Sequence, residues 1–149
     1  MKVVFINIDG VLNNTTYLEK FYSLPESEQN NIPLCSKNIS HLKDILVKLP
    51  NIKLVFLSFW CLVGETLVYS NIINAGIPKD RIGGAVRALQ EKDKEIQNWL
   101  SKREIEDYII IDDDMQELES LKDKCVIPLM ENGLSENDVL EVINKMSCQ

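Results

Sequence analysis

Residues 2–10 read KVVFINIDG. The first seven, 2–8, form a short apolar and β-branched run, and it breaks at Asp9-Gly10. Such a run predicts a buried strand that ends in a sharp turn. Residues 52–58, IKLVFLS, repeat the pattern and end in Ser58. Residues 107–111, DYIII, repeat it again and run straight into Asp112-Asp113-Asp114. A weaker strand is expected over 82–86 and a last one over Cys125–Leu129. The strands are solidly apolar rather than alternating, as expected where helices cover both faces of a sheet.

Helical periodicity fills the gaps. Ser36 is placed to cap a helix whose apolar positions Ile39, Leu42, Leu46 and Leu49 recur at three- and four-residue steps, leaving His41 on the opposite, exposed face. A helix over about 64–75 is stopped by Gly76 and Pro78. One over Lys92–Lys102 presents Ile96, Trp99 and Leu100 inward. A short helix carries Met115, Leu118 and Leu121. Ser135-Glu136-Asn137-Asp138 matches a capping box ahead of Val139, Ile143 and Met146. Residues 13–34, rich in Asn, Pro, Ser and Thr, read as a loop insertion with a short helix around Tyr17–Tyr22. Alternating strands and helices predict a single three-layer α/β domain over 1–149 with a mostly parallel, five-stranded sheet.

Composition narrows the function classes. With 16 basic and 23 acidic side chains the net charge is −7, which disfavours an extended grip on nucleic-acid backbone. No apolar run reaches the roughly 20 residues of a membrane span. The N-terminal stretch is too short and too soon acidic for a signal peptide, so a cytoplasmic protein is expected. Cys35, Cys61, Cys125 and Cys148 show neither CxxC nor zinc spacing and read as reduced thiols. A single histidine, His41, makes a Ser-His-Asp triad a poor fit.

In open parallel sheets ligands bind beyond the carboxyl ends of the strands. Polar groups end three of the predicted strands there: Asn7 and Asp9, then Ser58, then Asp112-Asp113-Asp114. Acidic groups at two strand ends suit a hard cation held by oxygen, and Mg²⁺ fits best. At 100° per residue Lys92 lies about 40° from Ile96 and about 20° from Trp99, on the inward stripe of its helix's first turn. It can therefore reach the same crevice. A cation, a lysine and a hydroxyl around one crevice suit a phosphoryl group. A receiver domain also gathers carboxylates and a lysine, but its acceptor Asp ends a middle strand. Here the middle strand ends in Ser58.

The order N-x-D-G-V-L, Ser, Lys, D-D resembles the haloacid dehalogenase (HAD) superfamily, over Val3 to about Val142. A closer resemblance is to the small HAD domain associated with Swiss-army-knife RNA repair proteins. It rests on Asp9–Asn13 (DGVLN), Ser58-Phe59-Trp60-Cys61, Lys92–Leu100 (KDKEIQNWL), Asp112–Asp114 and Gly133-Leu134-Ser135. The resemblance implies a Rossmann-like fold with a minimal cap over 13–34 and a Mg²⁺-dependent phosphomonoester hydrolase working through an aspartyl-phosphate. Position 7 would hold the nucleophile, and Asp9 would be the general acid and base. Ser58 and Lys92 would bind phosphate. Asn7, Asp9 (through its carbonyl), Asp112 and Asp113 would hold the metal, with Asp114 an alternative to Asp113. A minimal cap leaves the site open to a phosphorylated small molecule or a nucleic-acid end.

Two residues depart from the family pattern. Position 7 is Asn where the family has Asp, and a carboxamide cannot form the acyl-phosphate. The sequence as written is expected to be crippled by several orders of magnitude. Either it is a non-catalytic phosphate- or nucleotide-binding module, or an aspartate has been replaced by its closest isostere; the otherwise intact motif set favours the latter. Cys61 stands where relatives often carry Arg, which weakens the link to a nucleic-acid substrate.

Overall fold

The computed structural model describes residues 1–29, 31–88 and 90–147, so Cys148 lies outside the described residues. Five strands form one sheet: β1 (Lys2–Ile6), β2 (Ile52–Phe56), β3 (Ile82–Ala85), β4 (Asp107–Ile111) and β5 (Cys125–Val126). Their order across the sheet is β3-β2-β1-β4-β5, and every pairing is parallel. The chain is thus an α/β fold with an all-parallel sheet, as the solid apolar runs require. β1 is central, with Val4 in register with Leu54 on one side and Ile109 on the other.

Because side chains alternate across a strand, β1 feeds two cores. Val4 and Ile6 join Leu42 and Ile45 of helix α2 (Ser36–Lys48), Val68 and Ile72 of α4 (Glu65–Asn74), and Val142 of α6 (Glu136–Ser147). Val3 and Phe5 join Ile96 and Trp99 of α5 (Lys92–Ser101) and Leu118 of a 3₁₀ segment (Gln116–Lys124) on the other face. Phe5 packs edge-on against Trp99, ring centroids 5.4 Å apart. The remaining helices are α1 (Thr15–Ser23), inside the 13–34 insertion, and the one-turn α3 (Trp60–Val63).

Several boundaries differ from the sequence-based expectation. β1 and β2 stop at Ile6 and Phe56, two residues early, because the chain soon turns: after β1 the N–H groups of Val11 and Leu12 both donate to the Ile8 carbonyl, and after β2 Cys61 N–H donates to the Ser58 carbonyl. β5 covers Cys125–Val126 rather than Cys125–Leu129, and Pro128 has no N–H to extend its ladder. The cap position of α2 is Cys35, and no side chain hydrogen-bonds there, so Ser36 is the first helical residue rather than the cap. His41 is half-buried, lining a cavity of about 480 Å³ with Ser135 and Glu136, because the segment before α6 folds over that face of α2. The capping box does form: Ser135 N–H and O–H donate to Asp138 Oδ2 at 2.9 and 2.8 Å.

Reversal of strand order around β1 creates the crevice. β2 and β3 extend to one side, β4 and β5 to the other, so the carboxyl end of β1 lies at the topological switch point. Leu57 N–H donates to Ile6 O, and Asn7 N–H donates to Ile111 O. These bonds bring the ends of β1, β2 and β4 side by side.

Candidate active site

Asn7 follows the last residue of β1 and is 8% exposed. Its side-chain oxygen accepts from Ile8 N–H at 2.8 Å. That bond turns the amide nitrogen inward. Nδ2 then faces three oxygens, each at 3.2 Å: the Asp9 carbonyl, Asp112 Oδ1 and Asp113 Oδ1. Residues from the ends of β1 and β4, separated by about a hundred positions, meet at one atom.

Asp112 is fully buried at the end of β4. Lys92 Nζ, from the first turn of α5, lies 2.9 Å from Asp112 Oδ2. Burial raises the Asp112 carboxyl to about 6; the Lys92 ammonium and the Asp114 N–H, which donates to Oδ1 at 3.0 Å, oppose the rise, while the Asp113 carboxylate adds to it. Lys92 is positioned by its own helix start. Glu91 takes a left-handed conformation (φ 55°), and Glu117 Oε2 accepts from the backbone N–H of Glu91 at 2.5 Å and of Lys92 at 3.4 Å. A carboxylate at a helix N-terminus is electrostatically favoured.

Asp113 and Asp114 separate cleanly. Asp113 points at Asn7, whereas Asp114 accepts from the Gln116 and Glu117 N–H groups at 3.1 and 3.5 Å, at the start of the 3₁₀ segment. Gly10 makes room for Asp113. It sits at φ +81°, and a Cβ there would lie 2.5 Å from Asp113 Oδ2.

Asp9 is held by two side chains. Asn13 Nδ2 donates to its Oδ1 at 2.9 Å and Trp60 Nε1 donates to the same oxygen at 3.2 Å. Asn13 is buried, accepts from Gly10 N–H at 2.8 Å and donates to Pro33 O at 2.9 Å, so it ties the turn to the insertion. Ser58 Oγ accepts from Trp60 N–H at 3.1 Å, which leaves its hydroxyl proton available to a ligand. Trp60 therefore links Ser58 to Asp9. From sequence Trp60 read as packing; the indole N–H gives it a polar task that only the short Ser-Phe-Trp spacing hints at. Cys61 is fully buried, its thiol 3.7 Å from Phe56 O, turned into the core.

Whether these groups suit Mg²⁺ depends on Asn7. The Asp9 carbonyl, Asp112 and Asp113 are the hard oxygen donors such an ion prefers. Asn7, however, presents N–H rather than its oxygen to their meeting point. As written, the set does not fit the ion without turning that amide over. Among the described residues no helix is long and apolar enough to cross a membrane.

A family model described as "HAD domain in Swiss Army Knife RNA repair proteins" matches residues 3–139. No curated protein and no solved structure matches the chain.

Proposed function

The chain belongs to that family of HAD domains, a superfamily with phosphatase-like function and general Mg²⁺ dependence, and from this premise we propose a phosphomonoester-hydrolase site whose nucleophile position, Asn7, stops turnover in the sequence as written. The convergence of Asn7, Asp9, Asp112, Asp113 and Lys92 at one sheet edge carries the proposal. Chain-distant groups are brought together there by three separate strand and helix ends.

With a carboxylate at position 7, each group has a task. That carboxylate attacks phosphorus and the ester P–O bond breaks. Asp9, held by Asn13 and Trp60, gives its proton to the departing oxygen. It then takes a proton from the water that attacks the acyl-phosphate, which frees inorganic phosphate and restores the position 7 carboxylate. Lys92 and the Ser58 hydroxyl bind non-bridging oxygens. Mg²⁺ would supply further charge neutralisation. Asn7 lacks a nucleophilic oxygen of this kind, so the first step fails.

The proposed substrate is a terminal phosphomonoester, on a small molecule or on a nucleic-acid end of the kind the family's description suggests. A net charge of −7 disfavours a long polyanion. A non-catalytic phosphate- or nucleotide-binding module is the weaker reading, because the Asp112 and Asp113 carboxylates that meet at Asn7 have only the Lys92 ammonium beside them. The test is Asn7→Asp with a generic aryl phosphate and Mg²⁺. Turnover should appear in the variant and be lost again on adding Asp9→Asn. An inactive, folded Asn7→Asp protein that binds Mg²⁺ would overturn the hydrolase reading.

A further inference from the structure

We propose that the Asn7 amide is a built-in substitute for the cation, so that this chain keeps its acidic cluster folded without metal and binds Mg²⁺ only weakly. The inference builds on the functional reading above but concerns metal affinity and folding rather than turnover. A carboxamide has one donor end and one acceptor end, whereas a carboxylate accepts at both. At position 7 two demands compete. The Ile8 N–H needs an acceptor, and Asn7 Oδ1 supplies it at 2.8 Å. The remaining end must then be –NH₂, and it meets the Asp9 carbonyl, Asp112 Oδ1 and Asp113 Oδ1 at equal 3.2 Å distances. Those oxygens, two of them on carboxylates, are bridged by N–H donors where an ion would otherwise be needed.

A metal can enter only if the amide turns over. Its oxygen would then face the ion, but its nitrogen would face the Ile8 N–H, donor against donor in a buried turn. Orphaning one buried N–H weakens the site roughly ten- to hundredfold. An aspartate carries no such conflict, because either oxygen can accept from Ile8. It carries the opposite one: without an ion, three carboxylates face each other. Asn7 thus exchanges metal affinity for metal-free stability.

The experiment measures thermal unfolding and Mn²⁺ binding (by its paramagnetic effect on NMR signals) on the full chain, with Mg²⁺ as competitor. The wild-type midpoint should not move in millimolar Mg²⁺. Asn7→Asp should unfold roughly 3–8 °C lower without metal and regain that loss with Mg²⁺. Asn7→Ala is the sharper variant, because it removes a nominal ligand yet frees the seat. It should bind Mn²⁺ more tightly than wild type, by about tenfold. Wild-type binding as tight as that of Asn7→Asp would overturn the proposal, as would weaker binding in Asn7→Ala than in wild type. Hydrolysis of an aryl phosphate by Asn7→Asp reports separately on the functional reading, so either result can fail alone.

Discussion

Lys92 Nζ lies 2.9 Å from Asp112 Oδ2, with the lysine side chain 13% exposed and the carboxylate fully buried. The pair crosses from the first turn of α5 to the end of β4 and fixes the helix start over the crevice. Asp112 has no solvent to fall back on. Its second oxygen is committed to Asn7 Nδ2 and Asp114 N–H.

Removing the ammonium should therefore cost more than a surface ion pair does. Lys92→Met preserves length and apolar stem but leaves a buried carboxylate without its counter-charge. A loss of about 3 kcal/mol in urea-denaturation stability is expected. In an Asn7→Asp background it should also raise KM for phosphate esters. A stability loss below about 1 kcal/mol would place the pair among solvated salt bridges, and an unchanged KM would remove Lys92 from the proposed phosphate site.

Asn13 offers a second probe, because one buried amide serves Gly10, Asp9 and Pro33 together. Asn13→Ala leaves the Gly10 N–H and the Pro33 carbonyl without this partner, and a loss of about 1–3 kcal/mol follows. The Asp9 carboxylate keeps only the Trp60 indole and gains freedom to rotate. In the Asn7→Asp background, kcat should fall more than KM rises, because orienting the acid matters most in the transition state. Equal kcat with a stability loss would mark Asn13 as a purely structural tie.

Much of this was legible in the sequence, for identifiable reasons. Strand runs such as KVVFI and DYIII are solidly apolar, so they announce a sheet buried on both faces. Once the sheet is parallel, its carboxyl edge has to hold Asn7, Ser58 and Asp112. Lys92 was legible from helical phase alone. What stayed hidden depends on contacts between distant segments. Periodicity gives the direction of His41 but not the α6-side loop that half-covers it. Composition gives Trp60 but not its bond to Asp9. The orientation of the Asn7 amide follows from Ile8 N–H, a backbone group that one-letter patterns do not display. Asp114 is indistinguishable from Asp113 in sequence; its bonds to the Gln116 and Glu117 N–H groups set it apart.

Cys125 gives a pH-dependent prediction on the opposite side of β4 from β1. It is 4% exposed, and its thiol donates to Leu121 O at 3.4 Å. Burial pushes the thiol up to about 11, and the Asp112 carboxylate adds to the shift while Lys145 opposes it. The raised value means the folded state prefers the protonated thiol. That stabilising contribution is complete below the unfolded value, near 8.5, and is lost as pH climbs through 11. Two consequences follow. Stability measured by urea denaturation should decline between about pH 9 and 11 less steeply in Cys125→Ala than in wild type. Iodoacetamide at pH 8.5 should modify the partly exposed Cys35 well ahead of the buried Cys125, because alkylation needs access and Cys125 is held as the protonated thiol. Peptide mass mapping reads the order directly. Equal rates at the two cysteines would mean that the strand edge carrying Cys125 opens on the alkylation timescale, and the end of β4 that positions Asp112 would open with it.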